Sequence, residues 1–254
     1  MMAIHAVGAF KDNYIWILED GRHAVAVDPG DALPVHDFLA KTGLTLTAVL
    51  ATHHHADHVG GLPELAQRYQ CPTFGPAHEV SAHLDRRMVE GERFSVPGIG
   101  IELAVLDIPG HTAGHIALYN AEMLFCGDTL FACGCGRLFE GTPAQMVDSL
   151  GKLARLPAAT RVYCGHEYTL ANIRFAQAVE PANVKLAERA QRDAAKRDQG
   201  LPTLPSTIGD ELATNPFLRC TESAVIAAAE KQAGRALAGP VEVFAEIREW
   251  KNRF

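Results

Sequence analysis

The chain has 254 residues, 48% of them apolar, and a formal net charge of −7. That is enough apolar side chain for one large domain or a domain with a smaller companion, and the acidic balance excludes broad nucleic-acid binding. No segment reaches the ~18–20 apolar residues of a membrane span, the N-terminus lacks the basic head and apolar run of a secretory leader, and the six cysteines form no CxxC pair of the zinc-ribbon or thioredoxin kind.

The first two thirds alternate strand and helix patterns. NYIWILED (13–20) reads as a strand, Asp20–Gly21 as a hairpin signal, and HAVAVDPG (23–30) as the returning strand that ends in a turn. ALPVHDFLAKTG (32–43) predicts a short helix closed by Gly43. LTAVLAT (46–52) reads as a buried strand, and LPELAQRY (62–69) as a helix that begins after the Gly60–Gly61 pair. Further strands are expected in IELAVLDIPG (101–110), HIALYNAEMLFCGD (115–128) and ATRVYCGH (159–166), and a helix in TPAQMVDSLGKLARL (142–156) with Thr142 as its N-cap. After about Glu167 the β-branched alternation fades. PANVKLAERAQRDAAKRDQ (181–199) predicts a helix with Pro181 near its start, and GLPTLPSTIGDELATNPF (200–217) a turn-rich crossing with three prolines. TESAVIAAAEKQAG (221–234) and PVEVFAEIREWKNRF (240–254) predict two more helices. The pattern is an α/β domain over residues 1–166 followed by a helical one over 167–254, without internal repeats.

THHHADHVGG (52–61) crowds His53, His54, His55, Asp57 and His58 into six positions. Buried imidazoles and carboxylates without partners cost stability, so this density points to metal ligation. A helical reading pairs His54 with His58, but the HExxH zinc motif needs Glu at position 55, where this chain has His. In extended backbone alternate side chains share a face, which points His53, His55 and Asp57 one way, with His58 beside them and His54 facing away. One tetrahedral catalytic zinc uses three protein ligands and a water, so the cluster is too dense for a single ion. Further ligands are expected at strand ends or loops: His111 in PGHTAGH, Asp128 in FCGDTLF and His166 in YCGHEYT. An aspartate is the natural bridge between two cations. His115 is expected to support the site rather than ligate, and His5, His23, His36, His78 and His83 to be ordinary. The cysteines read as small core residues of a reduced, cytoplasmic protein.

THHHADH, PGHTAGH, GDTLF and GHEYT resemble, in order and spacing, the motifs of the metallo-β-lactamase superfamily. CGCGRLFEGT (133–142) resembles the substrate loop of its glyoxalase II family, the hydroxyacylglutathione hydrolases, and LPTLPSTIGDE and NPFLR resemble that family's helical-domain signatures. The resemblance spans nearly the whole chain. It implies an α/β fold, the metallo-β-lactamase αβ/βα four-layer sandwich with metals at one edge, followed by a small C-terminal all-α domain. It also implies two divalent ions per chain, zinc foremost, with iron or manganese equally suited to mixed His and Asp ligands. One ion falls to His53, His55 and His111, the other to Asp57, His58 and His166, with Asp128 bridging them. Implied glutathione contacts are Arg137, Tyr168, Arg248 and Lys251, together with Phe139, where some relatives carry Tyr and this chain keeps only a ring to pack.

The implied reaction is hydrolysis of S-D-lactoylglutathione to D-lactate and glutathione, the second step of methylglyoxal detoxification. The implied enzyme is a monomer with this small-molecule thioester as its partner and no nucleic acid or membrane partner. Asp57 and Asp128 carry the catalytic roles. The leaving thiolate, whose acid has a pKa near ~8.5, departs without a dedicated general acid, and no GxSxG elbow is present. The rival readings are another enzyme of the superfamily, such as a one-iron persulfide dioxygenase, a lactamase, a lactonase or a nuclease, and a non-enzymatic metal-binding module. A storage module would close its site with protein ligands, whereas this ligand set leaves room for water.

Overall fold

Strands whose two faces are both covered run through the first two thirds of the chain. The computed structural model describes residues 2–79 and 83–254. The first sheet runs in the order β1 (Ala3–Ala9), β2 (Asn13–Glu19), β3 (His23–Val27), β4 (Thr45–Leu50), β5 (Thr73–Pro76), β6 (Arg86–Met88). β1 to β3 are antiparallel, and β3 to β6 are parallel. The β2–β3 turn is set by Asp20, whose Oδ1 accepts from the backbone N–H of Arg22 at 2.8 Å and of His23 at 2.7 Å. The parallel crossovers are α1 (Ala32–Thr42), capped by Asp31 and closed by Gly43 at φ 72°, and α3 (Leu62–Tyr69), with the one-turn α2 (Ala56–Val59) before it.

The second sheet contains β7 (Arg93–Ser95), β8 (Glu102–Asp107), β9 (Ile116–Tyr119), β10 (Met123–Gly127), β13 (Arg161–Cys164) and β14 (Ser206–Thr207), in the spatial order β14-β13-β10-β9-β8-β7. A two-stranded hairpin, β11 (Leu130–Phe131) with β12 (Gly134–Cys135), follows β10 directly. α4 (Pro143–Ala154) begins with a full capping box between Thr142 and Gln145. The remaining helices are α5 (Thr169–Val179), α6 (Val184–Asp198), α7 (Ile208–Thr214), α8 (Ser223–Ala233) and α9 (Pro240–Arg253).

Alternation along β2 shows how the layers form. Trp16 and Leu18 point between the sheets, on the side of Leu118, Phe125 and Tyr163 of the second sheet, whereas Ile15 and Ile17 point outward under Val35 and Leu39 of α1 and Leu62 and Leu65 of α3. Each such aliphatic side chain contributes roughly 1.5–3 kcal/mol on full burial. A one-residue slip of β2 would exchange the two sets and mismatch both layers. All six cysteines are buried and free. Among the described residues no helix is long and apolar enough to cross a membrane.

The expected helices at 32–43, 62–69 and 142–156 and the helices after residue 181 form close to their expected bounds. α6 starts at Val184, capped by Asn183, so Pro181 precedes the helix. Besides the one-turn α2, two helices lie where none is expected. α5 is masked in the sequence by Ile173 and Phe175, which read as strand formers but are buried helical residues here. α7 hides between Pro205 and Pro216; Thr207 caps it by accepting from the backbone N–H of Asp210 at 3.0 Å. The C-terminal region is not wholly helical, because Ser206–Thr207 closes the edge of the second sheet against β13. β1, β5, β6 and β7 also form outside the expected strands; the last three are only three or four residues long.

Candidate metal centre

β4, β8, β10 and β13 end at one edge of the sandwich, and the segments that leave them carry the clustered histidines and aspartates. The backbone is extended only as far as His55. That residue is the N-cap of α2, which holds Asp57 and His58 on a single helical turn. The expected extended alternation through Asp57 therefore ends at His55, and a single helical turn replaces the rest of it. The turn forms because the preceding loop lies flat against it: a Cβ at Gly30 would sit 1.9 Å from the Asp57 carbonyl oxygen.

The donor atoms of His53, His55 and His111 lie within 4.8 Å of one another, and so do those of Asp57, His58 and His166. Asp128 stands between the two groups. Its Oδ2 is 3.5 Å from His111 Nε2 and 3.3 Å from His166 Nε2, and its Oδ1 is 3.3 Å from His58 Nε2. Two further groupings, Asp28 with His53 and His58, and His54 with His55 and Glu140, share members with the first two. Gly165 leaves the space for this convergence, since a Cβ there would fall 2.5 Å from His58 Cε1 and 2.6 Å from Asp128 Oδ1.

Neighbouring groups fix the imidazoles. Asp28 Oδ2 accepts from Thr52 Oγ1 at 2.7 Å and from His58 Nδ1 at 3.1 Å. Thr52 Oγ1, its proton given to Asp28, accepts from His53 Nδ1 at 3.1 Å. His111 Nδ1 donates to the Arg137 carbonyl at 2.9 Å, and His166 Nδ1 donates to Asp12 Oδ1 at 2.8 Å. Each of these four rings thus carries its proton on Nδ1 and turns an Nε2 lone pair inward, as supporting partners of metal ligands do. His55 turns Nδ1 instead, 3.1 Å from His111 Nε2.

These facts test whether a cation fits. His53 Nε2, His58 Nε2 and Asp128 Oδ1 are all buried without a hydrogen-bond partner. Burial, with His58 and His115 nearby, pushes His53 well below the usual imidazole range, so it stays neutral, as a ligand must. Burial opposes charge at Asp128 too, but His58 and His166 hold its carboxyl well below the usual range. Burial likewise lowers His166, yet Asp128 and Asp57 outweigh it and raise that ring to about 10. The carboxylates here demand positive charge, and divalent metal meets the demand without protonating the rings. The donor set fits divalent metal.

His54 sits off the centre, with Nδ1 3.0 Å from buried Glu79 Oε2 and Nε2 3.3 Å from Glu140 Oε1. His115 is buried, stacked on His53 with centroids 4.5 Å apart, and accepts from the Asp128 backbone N–H at 3.1 Å. Both therefore stand beside the expected ligands. Asp28, Asp12, Asn13 and Glu79 are partners that the sequence reading missed. Asp28 closes the strand HAVAVDPG and reads there as an ordinary turn residue; only its φ of 53° and its three acceptor contacts show its role.

A cavity of about 510 Å³ opens over the cluster and is lined by His55, Asp57, His111, Asp128 and His166. Arg137, Phe139, Tyr168, Arg248 and Lys251 all line the same cavity. Tyr168 stacks on His166 with centroids 4.7 Å apart, and Phe139 sets its edge against His111 at 5.2 Å. Arg248 is buried, and its Nη1 donates to the Cys135 carbonyl at 2.9 Å. Lys251 Nζ donates to Asn172 Oδ1. Among the described residues neither Arg248, Lys251 nor Arg137 is ion-paired to a carboxylate.

The chain's likeness to known proteins agrees with this geometry. The family model for the metallo-beta-lactamase superfamily matches residues 9–166, and that for the hydroxyacylglutathione hydrolase C-terminus matches residues 167–254. A hydroxyacylglutathione hydrolase of Alkalilimnicola ehrlichii is 56% identical over the full length of both chains. Among solved structures, ETHE1 from Myxococcus xanthus superposes with a TM-score of 0.67 at 26% identity, covering 98% of this chain and 90% of its own. TTHA1623 in a di-iron-bound form gives 0.59 at 26% identity, covering 85% and 100%. With two groups of ligand atoms joined by one aspartate, and both halves matched, the chain belongs to the hydroxyacylglutathione hydrolase family of the metallo-beta-lactamase superfamily.

Proposed function

We propose that the chain is a binuclear metal-dependent thioester hydrolase that converts S-D-lactoylglutathione and water to D-lactate and glutathione. The observation that carries this reading is Asp128, within 3.5 Å of ligand atoms from both groups, on the floor of a cavity whose wall bears three cations without carboxylate partners. His53, His55 and His111 would hold one ion and Asp57, His58 and His166 the other, with Asp128 shared. Zinc is the first choice, with iron or manganese equally compatible with the ligand chemistry. The relative that carries two irons supports the count of two. Bound there, divalent ions lower the pKa of water to about 7 and polarise the thioester carbonyl.

The protein's own groups do the rest. Asn13 Nδ2 donates to Asp57 Oδ2 at 3.0 Å and fixes the carboxylate that orients the attacking water. Arg137, Arg248 and Lys251 receive the glutathione carboxylates, which an acidic chain needs a local cationic wall to bind. Phe139 and Tyr168 pack against the bound substrate beside His111 and His166. The thiolate leaves unprotonated, so no further acid is required. Residues 1–166 form the catalytic domain in this proposal and residues 167–254 the substrate-binding one. A single chain supplies every group named, which supports a monomer as the active form. Six free, buried thiols suit the cytoplasm.

A one-iron oxygenase would leave the Asp57, His58 and His166 group without a task. Metal analysis of purified protein alongside hydrolysis of S-D-lactoylglutathione tests the proposal. Two ions per chain with release of glutathione are expected; one ion with oxygen uptake and no thioester cleavage would overturn it.

A further inference from the structure

Two sequence signatures, STIGDE (206–211) and NPFLR (215–219), have no task in the reaction described above, yet each carries a polar side chain among the most deeply buried in the molecule. Glu211 and Asn215 are fully buried. Asn215 Nδ2 donates to the carbonyl oxygens of Phe131 at 3.1 Å and Gly134 at 2.9 Å. Glu211 Oε2 accepts from the backbone N–H of Cys133 at 2.8 Å and from Asn215 Nδ2 at 3.0 Å. The charge on Glu211 is met by buried Arg189, whose Nη2 donates to Oε1 at 2.7 Å. Asn172 completes the grip: its Nδ2 donates a hydrogen bond to the Ala132 carbonyl at 2.9 Å.

The object gripped is the tip of the β11–β12 hairpin. Cys133 holds a left-handed backbone at φ 54° there, a conformation that a non-glycine residue keeps only when its surroundings enforce it. Asp128 lies three residues before Phe131, and Arg137 lies three residues after Gly134. The returning strand rests directly on the metal centre: a Cβ at Gly136 would fall 1.9 Å from the Asp128 carbonyl oxygen, and the Arg137 carbonyl accepts the Nδ1 proton of His111 at 2.9 Å. Glu211 of α7 and Asn215 just after it therefore fix the hairpin, and the hairpin fixes the backbone of Asp128 and the ring of His111.

We propose that Glu211 and Asn215 are positioning residues that make metal affinity depend on the docking of the C-terminal region. This rests on the reading above for the roles of Asp128 and His111 as ligands. Asn215→Asp keeps the size of the side chain but removes both donors and sets a second acceptor against Glu211. The protein should fold and bind zinc roughly tenfold to a hundredfold more weakly, the usual effect of losing a support behind metal ligands. Ser206→Ala disturbs the same buried network, losing the bond from Arg189 Nη2 at 3.0 Å and the one to Glu211 Oε1, but removes neither the Glu211 Oε2 nor the Asn215 contacts to the hairpin. It should lose thermal stability but keep wild-type zinc affinity.

The test is titration of chelator-treated wild type, Asn215→Asp and Ser206→Ala with zinc alone, well below each melting temperature. Equal affinity in wild type and Asn215→Asp, or equal loss in Asn215→Asp and Ser206→Ala, overturns the proposal. A wild type that binds no divalent ion overturns the metal reading itself and this inference with it. Coupling is reciprocal, so hydrogen exchange on the wild type gives an answer even if Asn215→Asp does not fold. Stripping the metal should speed exchange of the Cys133 amide, and an unchanged rate would count against the coupling.

Discussion

His58 Nε2 stands 3.3 Å from Asp128 Oδ1, both atoms are buried, and no hydrogen bond joins them. Two polar atoms held so close without bonding mark a place for a cation rather than a proton. Replacing Asp128 by Ala removes the carboxylate that stands within 3.5 Å of the Nε2 atoms of His111, His58 and His166. Asp128→Ala should lose at least one metal by elemental analysis and nearly all thioesterase activity. A variant that keeps both ions and normal turnover would remove Asp128 from the centre.

Asp28 is the support most open to test. Its Oδ1 accepts from the Thr52 backbone N–H at 2.7 Å, and its Oδ2 serves Thr52 Oγ1 and His58 Nδ1. Asn tolerates the left-handed backbone at this position, so Asp28→Asn isolates the chemistry. Its amide NH2 must then face one of those donors. Metal affinity should drop about tenfold to a hundredfold in a chelator competition, with His58 the ring released. Unchanged affinity would show that the Asp28 contacts do not steer ligation.

Much of this centre was legible because its ligand types are rare in combination. Seven residues from four segments were visible as His and Asp at strand ends, and the structure brings all seven to one edge. What the sequence hid is context. Asp28 and Asp12 look like any turn aspartates until folding sets them behind His58 and His166. α2 is a single turn, too short for a periodicity of its own, and tight packing against Gly30 decides it. α5 was hidden because tertiary burial of Ile173 and Phe175 overrides their strand propensity.

Lys251 predicts a pH dependence. Burial, with Arg248 next in effect, lowers its amine from the usual 10.5 to about 8. Above that pH the free enzyme loses the charge that would hold a substrate carboxylate. KM for the glutathione thioester should therefore rise as pH passes about 8, while Lys251→Arg keeps KM flat over that range. The stability effect has the opposite sense. Between about 8 and 10.5 the unfolded chain binds more protons at this side chain than the folded one, so its contribution to stability rises with pH. A pH-independent wild-type KM would show that substrate does not need the Lys251 charge.

Arg248 and Lys251 lie three residues apart on α9 and line the same cavity, yet they should respond differently to truncation. Arg248 is buried, donates to the Cys135 carbonyl and lies over the Phe217 ring at 5.2 Å. Arg248→Ala should therefore cost about 1.5–3 kcal/mol of stability, the worth of a charged hydrogen bond, and raise KM as well. Lys251→Met keeps the aliphatic stem. It loses the bond to Asn172 Oδ1 but also removes a desolvated charge, and the two offset to within about 1 kcal/mol. Its KM should still rise roughly tenfold or more, the equivalent of one charged contact. Because that contact is remote from the reacting carbonyl, it stabilises ground and transition states alike and leaves kcat within a small factor. Added salt should raise the wild-type KM and do so less in Lys251→Met, with metal content equal in both. A Lys251→Met enzyme with the wild-type KM would place the substrate carboxylates elsewhere on the cavity wall.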